Sequence, residues 1–216
     1  MDTAMAENSS ETRLLLRRAG AGDRQALGEL LARHQDRLRL MVRLRLDRRL
    51  QGRIDPSDVI QEAYLEAAER FPDYARDQPM PFFLWLRFLT AQKLLVQHRH
   101  HLGAKARDAA REVSLYHGAL PEASSAVLAA QLVGHRTTPS QVAIRAEMQL
   151  RLQEALNSMN AIDREVLALR HFDQLINAET ARVLGLRESA ASQRYARALL
   201  RLKDILTSLP GEPPGG

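Results

Sequence analysis

The stretch that decides the fold runs from Glu179 to Leu202, "ETARVLGLRESAASQRYARALLRL". At helical spacing its second half has two faces. Ala191, Tyr195, Ala198, Leu199 and Leu202 recur at three- and four-residue steps, while Ala190, Gln193, Arg194, Arg197 and Arg201 lie opposite. The first face is expected in a core and the second is basic. Between the halves, Leu184-Gly185-Leu186 puts a residue that tolerates positive φ at a helix end, flanked by two leucines expected to enter a shared core. Ala181 and Ala190 are small enough for the two helices to approach closely. The spacing predicts a sharp αα corner. Two readings fit it: a helix-turn-helix whose second helix enters a major groove about 12 Å wide, or an ordinary αα-hairpin with a solvated arginine face.

The surrounding chain of 216 residues is 45% hydrophobic and 26% charged, as expected of a globular protein with room for two small domains. Lys and Arg number 31 against 26 Asp and Glu, a formal charge of +5 that favours a polyanionic partner. Apolar residues are mainly Leu and Ala at three- and four-residue spacing, so the expected class is all-α. The absence of cysteine excludes disulfides, thiolate chemistry and Cys-based zinc sites, and fits a reducing compartment. The N-terminus lacks the apolar core of a secretory signal, and the densest apolar run, "MPFFLWLRFL" from Met80, is too short to span a bilayer. The expected location is cytoplasmic, with no membrane partner.

Along the chain, residues 1–11 read as a disordered tail, 12–103 as a helical domain, 104–140 as a flexible linker with one short helix, 141–207 as the domain containing the helix-turn-helix, and 208–216 as a second disordered tail. Two glycines and Asp23 mark a break in the first helical block. In "RIDPSDVIQEAYLEAAERFPDY", Asp55 is the expected N-cap, Pro56 the first helical residue, and Pro72 the stop. Val59, Ile60, Ala63, Tyr64 and Ala67 form its apolar stripe. Asp58, Gln61, Glu62, Leu65 and Glu69 share the other side, an acidic face with a leucine in it, which suits docking of a basic helix.

In "FFLWLRFLTAQKLLVQHRHHLGAKAR", an apolar start leads to a basic end, and Trp85 is expected as a core anchor. In the cluster His98, His100 and His101, His98 and His101 lie one turn apart, but no third ligand of acidic or thiol type sits at metal-site spacing, so neither metal nor cofactor is expected. No paired carboxylates, phosphate loop or nucleophile with a histidine partner can be read, so the chain is not expected to be an enzyme.

Taken together, these motifs resemble the extracytoplasmic-function (ECF) sigma factors of bacterial RNA polymerase, from about Leu14 to about Leu206. The resemblance implies that "DPSDVIQEAYLEA" docks on core polymerase through Asp58, Gln61, Glu62 and Leu65. It implies that the next helix holds the opened minus-ten strand, for which Arg87, Gln92, Lys93, Gln97 and Arg99 supply cations and base-edge hydrogen bonds. It also implies that Arg187, Ser189, Ala190, Gln193, Arg194 and Arg197 face the major groove of the minus-thirty-five element, with Arg194 reading a base and Arg197 anchoring a phosphate. Where many members carry Asn and Asp, this chain has Gln92 and Val96. Ile176 replaces a common capping Ser or Thr, leaving Asn177 as the expected cap, and Thr180 replaces an apolar residue. The implied partners are core RNA polymerase and promoter DNA, with room for an anti-sigma factor. The rival reading is a one-component helix-turn-helix regulator that binds duplex DNA without polymerase.

Overall fold

Capping carboxylates start the helices that frame the first of two units in this computed structural model, which describes residues 2–102, 122–133 and 142–207. The linker residues 104–121 and 134–140 and the tail 208–216 lie outside the described residues. No strand occurs among those described, and the all-α expectation holds.

The first unit comprises Met1–Val42 and Arg48–Asp108. Its helices are α1 (Asp2–Gly20), α2 (Arg24–Ala32), most of α3 (Gln35–Arg45), α4 (Pro56–Asp77) and α5 (Phe82–Leu102). Where a tail was expected up to residue 11, α1 begins at Asp2; Ala4, Met5, Ala6 and Glu7 all favour helix. Asp23 caps α2 by accepting from the Ala26 N–H at 3.0 Å. That bond and the Arg18 guanidinium hold its carboxyl below the usual carboxylate range. Asp55 caps α4 through the Ser57 N–H at 2.8 Å, with Pro56 in the first turn.

One boundary differs from expectation. Pro72 does not stop α4, which continues to Asp77 and ends at Gln78 in the left-handed region. A proline costs an internal helix one hydrogen bond, here the one to the Ala68 carbonyl. Ala68 and Pro72 are both exposed, so water can serve that carbonyl, while buried Phe71 and Tyr74 hold the last turns to the core.

The core of this unit is the stripe Val59, Ile60, Ala63 and Ala67 of α4, packed against α5, whose Leu86, Leu89 and Leu94 are fully buried, as are Leu38 and Met41 of α3. Tyr64, at its edge, donates to the Leu31 carbonyl at 2.6 Å. Trp85 is the expected anchor: its ring stacks on Tyr74 with centroids 4.4 Å apart, and Phe71 and Phe82 close round them. Beside this cluster His34 is buried between Phe82 and Phe83, and its Nε2 has no hydrogen-bond partner among the described residues.

The second unit comprises Arg43–Asp47 and Ala109–Gly216. It contains α6 (Ser125–Val133), α7 (Val142–Ser158), α8 (Ala161–Leu167), a π turn (Ala168–Phe172), α9 (Asn177–Leu184) and α10 (Glu188–Thr207). The π turn is closed by the Asp173 N–H donating to the Ala168 carbonyl at 2.9 Å, and it buries Leu169 and Phe172. Arg45, fully buried here, bonds to Glu165 and lies 3.6 Å from the buried carboxylate of Asp173. A buried guanidinium requires such anions, because desolvation of an isolated charge is costly.

Two stability predictions follow from buried charge. Asp173→Ala takes a fully buried anion from beside Arg45 but leaves Arg45 bonded to Glu165, so urea unfolding should show a loss of about 1–3 kcal/mol, less than for a guanidinium left with no anion. Burial first, then repulsion from Arg37 and Arg33, lowers the His34 pKa from 6.5 to about 4. The folded state therefore resists a proton that the unfolded chain accepts. Stability should be intact above pH 6.5 and fall as pH drops toward 4. Between pH 7 and pH 5, the unfolding free energy should fall by about 2 kcal/mol more than in His34→Leu.

Candidate functional site

Three surfaces carry the residues singled out from the sequence. On α4, burial of the apolar stripe turns the opposite face to solvent. Asp58 and Gln61 are exposed, and Leu65 is 68% exposed, a large apolar side chain among polar neighbours. Glu62 is not on the open part of that face. Half-buried at the seam with α5, it accepts a hydrogen bond from Gln97 Nε2 at 3.0 Å.

One turn along the seam lies Glu66, which the sequence reading passed over. Its Oε2 is 2.7 Å from Lys93 Nζ of α5, and its Oε1 accepts from Arg70 Nη1 at 2.9 Å. The hydrogen bond from Lys93 chiefly holds the Glu66 carboxyl below its ordinary value, against a weaker opposing effect of burial. A signal was available. Glu62 and Glu66 are four residues apart, as are Lys93 and Gln97, and two antiparallel helices with matched spacing form two rungs of one ladder.

On α5 the five expected strand contacts divide. Arg99 is exposed, and its Nε donates to the Leu95 carbonyl at 3.4 Å. Gln92 is half-buried; Lys93 and Gln97 are the rungs just described. Arg87 is only 6% exposed, so the sequence expectation of a strand contact needs correction: a guanidinium on the apolar first half of the helix is enclosed by its neighbours. Val96 is half exposed beside these polar groups.

In the second unit, α9 and α10 form the expected corner. Gly185 takes φ 62°, and the Leu186 N–H returns to the Ala181 carbonyl at 2.9 Å, closing the end of α9. Ala181 and Ala191 are buried, while Leu184 and Leu186 are half-buried. Asn177 is not the cap of α9. Its side-chain Nδ2 donates to the Glu188 carbonyl at 2.9 Å, tying the two helix starts together. Ile176 occupies the cap position, and Glu179 accepts from its N–H at 3.0 Å. Thr180 is buried, and its hydroxyl has no partner.

Along α10, Arg187, Ser189, Gln193 and Arg197 are exposed, and Ala190 is half-buried. Arg194 is drawn aside: its Nη1 donates to Asp163 Oδ1 of α8 at 2.7 Å. Leu199, expected in the core, is 41% exposed, and the buried face is carried by Ala191, Ala198 and Leu202. The apolar seam is therefore narrower than the spacing suggested. Arg170 lies over the ring of Tyr195, 5.1 Å from its centroid. No described helix is long and apolar enough to cross a membrane.

A model of the family "Sigma-70, region 4" matches residues 149–202, from within α7 through α8, the π turn and α9 to most of α10. The chain is 33% identical over 190 residues to the ECF RNA polymerase sigma factor SigD of Mycobacterium tuberculosis, covering 88% of this chain and 81% of that protein. It is 28% identical over 197 residues to the RNA polymerase sigma factor CnrH of Cupriavidus metallidurans, covering 90% and 93% respectively. The solved structure of CnrH in complex with the cytosolic domain of CnrY matches 92% of this chain and 98% of that one, with a TM-score of 0.52 at 25% identity.

The Arg194–Asp163 pair is open to a direct check. Both side chains retain some solvent, so a double-mutant cycle of Arg194→Ala and Asp163→Ala in urea should give a coupling of about 0.5–1 kcal/mol. Zero coupling would mean that α8 does not restrain this arginine.

Proposed function

The chain belongs to the extracytoplasmic-function sigma factors, and from that membership we propose how its surfaces divide the work of transcription initiation. Sigma factors direct core RNA polymerase to promoters, so this chain has two macromolecular partners, polymerase and DNA, and its work is recognition rather than catalysis. Its place of action is the cytoplasm, where polymerase and DNA are.

Docking on polymerase falls to α4, with Leu65 as the apolar anchor and Asp58, Gln61 and Glu62 as acceptors for a basic coiled coil. The observation that carries this reading is the exposure of Leu65 on an acidic face, opposite a fully buried stripe. An apolar side chain in the middle of a polar surface loses water only when a partner covers it. Strand holding falls to Gln92, Lys93, Gln97 and Arg99 of α5. Arg87 is withdrawn from that set, because a buried guanidinium cannot meet a phosphate without leaving the core.

Minus-thirty-five recognition falls to Arg187, Ser189, Gln193 and Arg197, with the small Ala190 letting the backbone approach. Arg194 becomes the brace that orients this face through Asp163, and Gln193 takes over as the base reader. CnrH has been solved in complex with the cytosolic domain of CnrY, and by analogy a protein comparable to that domain is the proposed anti-sigma partner here.

Two measurements test this division. Leu65→Ala should weaken co-purification with core polymerase about tenfold, with helix content unchanged by circular dichroism. Unchanged affinity would remove the docking role from this face of α4. In a promoter-variant panel transcribed at several salt concentrations, Gln193→Ala should relax preference at one upstream position. Arg197→Ala should weaken all sequences alike and lower the salt slope by about one.

A further inference from the structure

On the first unit, Arg18, Arg33, Arg39, Arg70 and Arg76 each pair with a carboxylate. Arg48 and Arg53, in the turn between α3 and α4, are exposed and have no such partner among the described residues. The turn that carries them is pinned from below. Leu50 and Ile54 are buried, and the Leu50 carbonyl accepts from the Arg53 and Ile54 N–H groups at 3.0 and 3.1 Å. The Gln51 N–H donates to the Arg48 carbonyl at 3.3 Å. At the tip Gly52 takes φ 85°, and a side chain there would meet nothing within 4 Å, so the tip faces open space. Two guanidinium groups are thus displayed on a fixed turn with no counter-charge, an arrangement that a polyanion relieves of its repulsion.

The place of the turn follows from the pairing of the two long helices. Glu62 meets Gln97 and Glu66 meets Lys93, so α4 and α5 run in opposite directions, and the start of α4 lies at the same end of the pair as the last turn of α5. Exposed Arg99 is on that last turn, and the turn bearing Arg48 and Arg53 leads directly into the Asp55 cap of α4. Residues 48–54 contain no aromatic side chain on which an unstacked base could lie. Arginines without such a platform suit phosphates, which paired DNA presents with its base faces covered. We propose that the turn between α3 and α4 grips, through Arg48 and Arg53, the phosphate backbone of promoter duplex next to the strand that α5 holds open. The inference rests on the assignment of α5 to the opened strand and adds a second, sequence-independent DNA contact to the first unit.

The test uses holoenzyme on a promoter that it transcribes, with fluorescent DNA in three forms: the minus-ten single strand alone, and the same strand continued into duplex at its 5′ or its 3′ end. Anisotropy is read across a salt series. Arg48→Gln and Arg53→Gln should each lower the salt slope on one of the duplex-tailed probes by about one, and the double variant should weaken that binding about tenfold. Binding of the bare strand should not change. Arg76→Gln removes the same charge from a paired arginine at the other end of α4 and should move none of the three. An equal loss on the bare strand, or no loss on either tailed probe, would overturn the proposal. So would weaker co-purification of the double variant with core polymerase, which would assign the turn to an acidic protein surface. If Arg99→Ala leaves bare-strand binding untouched while the turn variants still lose the tailed probe, the turn stands and the assignment of α5 falls.

Discussion

The packing of α4 against α5 constrains everything else on the first unit. α4 buries Val59, Ile60, Ala63 and Ala67 and, in its last turns, Phe71 and Tyr74, and keeping this stripe covered by α5 fixes one rotation of the helix. That rotation sends Leu65 outward, into solvent, and brings Glu62 and Glu66 to the edge of the seam. At that edge side chains as long as Lys93 and Gln97 cross from one helix to the other. The exposed acidic face of α4 and the polar side of α5 are thus neighbours on one helix pair, with Glu62 and Glu66 bonded across the seam between them.

The second unit solves a different problem, which is to hold a protruding helix steady. Gly185 makes the corner, buried Ala181 and Ala191 let α9 and α10 close on each other, and the Asn177 side chain clips their starts together. On the flank, Asp163 fixes Arg194. Buried Arg45, with Glu165 and Asp173 around it, contributes specificity of arrangement more than net stability, because desolvating three charges offsets much of what their attraction returns. The π turn that delivers Asp173 to this site is the kind of local irregularity that a buried polar requirement sustains.

Much of this is legible in the amino-acid sequence. Helix content, the Asp23 and Asp55 starts, the Trp85 anchor, the corner at Gly185 and the exposure of Leu65 all follow from rules that act within a few residues: periodicity, capping chemistry, and the conformational freedom of glycine. Those rules also failed in recognisable places. Pro72 reads as a stop because local sterics disfavour it inside a helix, yet buried Phe71 before it and Tyr74 after it hold the chain to the core and carry the helix on. Leu199 matched the apolar period but lies beyond the width of the seam.

By itself the sequence determined the class, the order of the helices and which face of each would be polar, since these depend on spacing along one chain. Tertiary structure decided which polar groups are spoken for. Arg87, Lys93, Gln97 and Arg194 read alike as cations or donors on helix faces, but one is buried, two are bonded to α4, and one is braced by α8. The difference comes from partners 27 to 35 residues away for the α5 rungs and 31 for Arg194, a range over which no local rule operates. Only the packing of one helix on another brings those partners within hydrogen-bonding reach.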